Sequence, residues 1–181
     1  STDLLEYATA AKLAGAVIIS MTNDGASPLA RLAHHHIDLM AGRELAVAAT
    51  KTYAAQLFGA LLLVNAWTSN FADFKSIVEA SKELLARRGN VLLAVNLCER
   101  ENEIVVLGRG FSYPNARETA LKIQETSKIS VQGLSIADYM HGPISALTNK
   151  TQVFIMVPNG MPLDSLKDDL AKIRKSEPKI F

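Results

Sequence analysis

The sequence predicts an α/β fold: two units of parallel strands flanked by helices, both incomplete. Three observations carry this expectation. The runs Ala16–Met21, Glu103–Gly108 and Val153–Pro158 are apolar and of buried-strand length. Between them stand stretches with helical spacing of apolar residues. Helix and strand alternate, and neighbouring parallel strands require such crossovers.

The chain opens on Ser1, Thr2 and Asp3, all N-cap residue types, before the amphipathic pattern Leu4, Leu5, Tyr7, Ala8, Ala11 and Leu13. Gly15 is a natural stop before the strand at 16–21. Thr22–Gly25 is then a loop at the strand's C-terminal end. Ser27 and Pro28 suit the cap and first position of a short helix over 28–33. A short strand at 37–40 follows. Residues 47–67 read as a long helix, apolar on nearly every face, and such a helix is buried in a core or a subunit interface. A second helix runs from Phe71 to Arg88, broken by Gly89-Asn90. Periodicity alone leaves 91–99 open between strand and helix. After the strand ending at Gly108, the chain predicts a tight turn, a helix over 115–127, a loop and short helix over 134–140, a strand at 153–158 and an amphipathic helix over 163–175. Residues 178–181 begin another strand.

Composition excludes several classes. Lys and Arg number 19 against 18 Asp and Glu, a formal net charge of +1, so the basic excess of a nucleic-acid binder is missing. The longest apolar stretch, Leu57–Trp67, is too short to span a bilayer. No basic, apolar leader opens the chain. With a single cysteine, Cys98, an internal disulfide is impossible; its apolar surroundings predict a buried, inert thiol and a cytoplasmic setting. His34-His35-His36 invites a metal reading, but adjacent side chains diverge and no carboxylate nearby completes a ligand set, so a solvated loop or helix end is expected. No metal and no cofactor is expected. Tyr53, Trp67 and Phe71 read as core or interface aromatics.

The chemistry-bearing pattern lies in the second half. Gly108-Arg109-Gly110 makes the turn, where a side chain would block the strand-to-helix approach. Glu118, Lys122 and Glu125 follow at i, i+4 and i+7, on one helix face. Taken alone, that face is a surface salt-bridge ladder and His141, before Gly142-Pro143, a loop residue.

Taken jointly, Gly-Arg-Gly, Glu-x-x-Leu-Lys-x-x-Glu and His-Gly-Pro resemble the second SIS (sugar isomerase) domain of the isomerase part of glucosamine-6-phosphate synthase. They resemble the SIS-type glucosamine-6-phosphate deaminases equally. Glu44–Tyr53 (Glu-Leu-Ala-Val-Ala-Ala-Thr-Lys-Thr-Tyr) is similar to the first-domain segment of the same proteins, and Ser1-Thr2-Asp3 matches the end of their phosphate loop. The resemblance implies 1–67 as the C-terminal part of a first SIS domain, 68–102 as a helical connection and 103–181 as the N-terminal part of a second. It favours helix for 91–99 and implies a chain cut at both ends.

It also implies roles. Glu125 is the base that moves a proton between C1 and C2 of an open-chain sugar, kept ionised by Lys122. Lys122 polarises the oxygen functions. His141 assists ring opening. Ser1 contacts the phosphate, and Val47 and Ala49 line the sugar pocket. The implied activity is isomerisation, or isomerisation with deamination, of a hexosamine 6-phosphate, in a homodimer. Deamination is preferred because no glutaminase is attached. The alternative is a non-catalytic phosphosugar-binding module. Departures are Ala49 where synthases often carry Ser, Val131-Gln132-Gly133 where many relatives carry a carboxylate, and no counterpart of the synthase's tail lysine.

Overall fold

The computed structural model describes residues 2–69, 73–99, 103–157, 160 and 163–181. The chain divides into two compact units, Ser1–Val78 and Glu79–Phe181.

In the first unit, helix α1 (Thr2–Leu13) leads into strand β1 (Ile19–Thr22), helix α2 (Pro28–Leu32), strand β2 (His35–Asp38) and helix α3 (Lys51–Thr68). The strands pair in parallel, Ser20 opposite His36. Ser27 caps α2, its hydroxyl accepting from the Ala30 N–H at 3.2 Å, with Pro28 in the first turn.

The histidine run corrects the expectation of a solvated loop or helix end. His35 and His36 lie in β2, and His36 Nδ1 meets the buried Ser20 hydroxyl at 3.0 Å. His34 Nδ1 accepts from the Ile18 N–H at 2.9 Å. These bonds pull the strand back to residue 35 from the expected 37, because the imidazoles serve as its cross-strand polar partners.

The helix expected over 47–67 begins at Lys51, and this unit does not bury it. Leu57 and Val64 are half exposed and Trp67 is 85% exposed. A two-stranded sheet covers one strip of the helix, at Gly59, where a Cβ would stand 3.4 Å from Leu39 and 3.5 Å from Met21.

Helix α4 (Phe74–Ala86) contains the division between the units and α5 (Arg88–Leu97) follows it. Asp73 starts α4, its carboxylate accepting from the Lys75 N–H at 3.1 Å. Phe71, the expected start, lies outside the described residues. The break falls at Arg87 instead of Gly89-Asn90, which α5 absorbs. The helical assignment of 91–99 holds through Leu97.

In the second unit, strands β3 (Ile104–Gly108), β4 (Val131–Ser135), β5 (Gln152–Met156) and β6 (Lys179–Ile180) form one parallel sheet in the order β4-β3-β5-β6. Helices α6 (Tyr113–Ser127), α7 (Ile136–Met140) and α8 (Lys167–Arg174) connect them. The two-residue period of β3 splits the core cleanly. Val105 and Leu107 join Ile136, Tyr139, Leu147, Val153, Leu166 and Ile173 on one face. Ile104 and Val106 join Ala116, Ala120 and Val131 on the other.

The sequence reading missed β4. It is an edge strand with glycine at its centre, which weakens a strand signal. Gly133 is there for packing: a Cβ would come within 2.7 Å of Arg117 Cα, so only glycine lets α6 lie this close. Buried Gln152 extends β5 one residue earlier than expected. Its side-chain amide exchanges two 2.8 Å bonds with the Glu99 backbone, so its polarity is satisfied. The helix expected over 163–175 opens as a 3₁₀ turn at Leu163–Leu166 before α8.

Candidate functional site

Two places concentrate polar chemistry, one in each unit. In the first, the carboxyl end of β1 and the segments that follow β1 and β2 face the starts of α1 and α3 around a cavity of about 880 Å³. Open parallel sheets bind ligands at this edge. The lining includes Thr2, Asn23, Ser27, Arg43, Glu44 and Thr52.

The walls are pinned by side-chain bonds. Asn23 accepts from the Ala41 N–H at 2.8 Å and donates to the Gly42 carbonyl at 2.6 Å, joining the loops after β1 and β2. Gly42 takes φ +71°, which suits glycine. Glu44 accepts from both the Thr52 N–H, at 2.9 Å, and the Thr52 hydroxyl, at 3.0 Å. Thr50, the formal cap of α3, makes no side-chain cap bond, so Glu44 does that work from eight residues before Thr52. The backbone N–H of Thr52 holds the Glu44 carboxyl below the ordinary carboxylate range.

Of the residues expected to hold substrate, Ser1 lies outside the described residues. Val47 is exposed and Ala49 half-buried, in a turn where the Ala49 N–H donates to the Val47 carbonyl at 3.0 Å. Neither lines the cavity; their neighbours Arg43, Glu44 and Thr52 do. Those three, with Asn23 and Ser27, were not singled out from sequence as site residues. The available signals were the loop at Thr22–Gly25, placed just past a strand, and the Glu44–Tyr53 segment, which contains Glu44 and Thr52.

In the second unit, α6 carries Glu118, Lys122 and Glu125. Glycines prepare the approach: a Cβ on Gly108 would fall 2.4 Å from the Ser112 carbonyl oxygen, and Gly110 has φ +55°. Lys122 Nζ lies 2.8 Å from Glu125 Oε2 and 3.3 Å from Glu118 Oε1. All three side chains are about a quarter exposed, more sheltered than an ordinary surface ladder. The Glu125 bond is the main reason the Lys122 pKa lies above the ordinary lysine value; partial burial opposes it and Glu118 adds to it. Lys122 is therefore a fixed ammonium. His141 ends α7, its N–H donating to the Asp138 carbonyl at 3.1 Å, with the ring exposed. Arg109 is tied to Asp169 at 3.0 Å, which anchors the turn to α8.

Other candidates carry less. Cys98 is half-buried, short of the full burial expected. Its thiol donates to the Ala94 carbonyl at 3.3 Å, and burial pushes its pKa up, which suppresses thiolate chemistry. Among the described residues, no three His, Cys, Asp or Glu side chains group to hold a metal ion, and no helix is long and apolar enough to cross a membrane.

Fold and site together define a class: an α/β protein with a cavity beyond the carboxyl end of a parallel strand and a sheltered carboxylate–ammonium face on one helix. The SIS domain family model matches residues 1–66 and 97–178. The chain belongs to the SIS domain family. The glutamine–fructose-6-phosphate aminotransferase (isomerizing) of Sulfolobus acidocaldarius is 32% identical over 181 residues, spanning 99% of this chain and 30% of that protein. A solved C-terminal domain of glucosamine-fructose-6-phosphate aminotransferase from Francisella tularensis is 27% identical with a TM-score of 0.76, over 99% of this chain and 55% of that one. The glucosamine-6-phosphate deaminase of Thermotoga maritima shares the fold at 23% identity and a TM-score of 0.75, over 90% of this chain and 50% of that one. The chain thus spans about a third of the curated relative and about half of the solved ones.

Proposed function

We propose that this chain is part of a phosphosugar aldose–ketose isomerase acting on a hexosamine 6-phosphate, with or without loss of ammonia. The observation that carries the reading is the Glu118–Lys122–Glu125 face, where a fixed ammonium sits 2.8 Å from one carboxylate and 3.3 Å from another. An aldose–ketose shift needs a base at carbon and a proton donor at the adjacent oxygen. Glu125 takes the proton from C2 of the open-chain aldose and returns it to C1. Lys122 faces the oxygen on which negative charge develops. His141, exposed at the end of α7, serves ring opening by accepting and returning one proton. The phosphate is assigned to the start of α1, with Ser1 and Thr2, and the sugar to the segment carrying Val47 and Ala49.

The cytoplasm and a homodimer complete the proposal. The exposed apolar residues Leu57, Val64 and Trp67 of α3 support self-association. A non-catalytic sugar-phosphate module would need no base, and the sheltered Lys122–Glu125 pair favours the enzyme.

The test is ammonia release from glucosamine 6-phosphate, and its conversion to fructose 6-phosphate, by the full-length protein. Glu125→Gln is expected to cut the rate by about 10²–10⁴-fold with the melting temperature kept. An unchanged rate removes Glu125 as the base. Saturable binding without turnover establishes the binding module.

A further inference from the structure

Glu44 takes no part in the proposed proton transfers, yet it joins two features of the first unit. It lines the cavity at the strand ends, and it closes the segment between itself and Thr52. That segment carries Val47 and Ala49. We infer that Glu44 is a positioning residue of the sugar pocket: its carboxylate caps α3 and thereby holds together the stretch of cavity wall formed by Arg43, Glu44 and Thr52. The inference rests on the reading of this cavity as the phosphosugar site.

Five contacts support it. Both Glu44 bonds converge on one oxygen, Oε2, so the carboxylate is held in orientation as well as in place. Lys51 Nζ donates to the Arg43 carbonyl at 2.7 Å, a second strap across the same loop. At the other end, Asn23 holds Ala41 and Gly42. The loop is therefore anchored at both ends, with Glu44 as the only charged acceptor in these contacts. Its capping role is general chemistry: the first N–H groups of a helix have no internal partner, and a carboxylate there is favoured by the helix dipole. What is particular is the location of the cap on the cavity wall. Loss of the cap frees Thr52 from Glu44 on the wall that both line.

Fructose 6-phosphate and glucosamine 6-phosphate binding to the full-length protein, measured by calorimetry, provides the test. Glu44→Ala should raise Kd by about tenfold, the loss expected for charge-assisted bonds. Glu44→Gln, whose amide oxygen can accept the same two bonds, should recover most of that loss. Thr52→Val, which keeps the N–H bond and removes the hydroxyl one, should fall between them and guards against misfolding of the alanine variant. A purely structural cap predicts a lower melting temperature and a reduced binding stoichiometry, with Kd unchanged in the folded fraction. A Glu44→Ala Kd within twofold of wild type overturns the inference while the sugar-site reading stands. A wild-type protein that binds neither sugar phosphate removes the reading, and the inference with it.

Discussion

The two units use the same grammar of parallel strand, loop and helix, yet they hold themselves together differently. The second unit has four parallel strands and apolar clusters on both faces, with Leu107, Val153 and Ile173 fully buried. The first has two strands, and its buried residues among those described are small or polar: Ala8, Ser20, Ala30, Gly59 and Asn65. Parallel sheets are stable when covered on both sides, and two strands rarely suffice alone. The second unit thus derives its order from packing. The first derives much of its order from specific polar bonds, those of Asn23, Ser27, His36 and Glu44. Side-chain bonds of this kind can fix loops that have no core beneath them.

That contrast can be broken by substitution. The largest effect is expected in the second unit: Leu107→Ala should cost about 2–5 kcal/mol, the range for a filled core position emptied, read by urea unfolding of the full-length protein. A cost below about 1 kcal/mol would mean the second unit is not packing-dominated. In the first unit, Ser27→Ala removes the α2 cap and should cost about 1 kcal/mol, with the loss confined to its own amides in hydrogen exchange. Trp67→Ala, at an exposed α3 position, should change stability by no more than about 0.5 kcal/mol in the monomer. A larger loss that grows with protein concentration would show α3 covered by a second copy. The smallest effect is a pH dependence. The folded-state pKa of Glu44 lies below its ordinary value of 4.5, so its contribution is present above that value and is lost as pH falls through the lowered one. Acid unfolding followed between pH 5 and 3 should therefore separate wild type from Glu44→Gln, with wild type losing more stability over that interval. Parallel curves would remove Glu44 as a cap.

Legibility followed the same division. Strands β3 and β5 and helix α6 could be read from the chain because their apolar pattern is also their packing pattern. Strand β4 could not: its edge position and Gly133 leave a weak local signal, and only the approach of α6 explains the glycine. The histidine run was misread because a triple His has no periodicity, whereas its partners are Ser20 on the neighbouring strand and Ile18 just before it. The start of α3 was read four residues early, since alanine-rich sequence permits helix there while the cap comes from Glu44, outside the helix.

By itself, the sequence determined the fold class, the order of most elements and the face shared by Glu118, Lys122 and Glu125, because helical and strand periods are local properties of the chain. Tertiary structure alone decided how far that face is sheltered and that Asn23, Arg43, Glu44 and Thr52 meet at one cavity. Those depend on which distant segments are brought within hydrogen-bond reach, and a period along the chain carries no record of that.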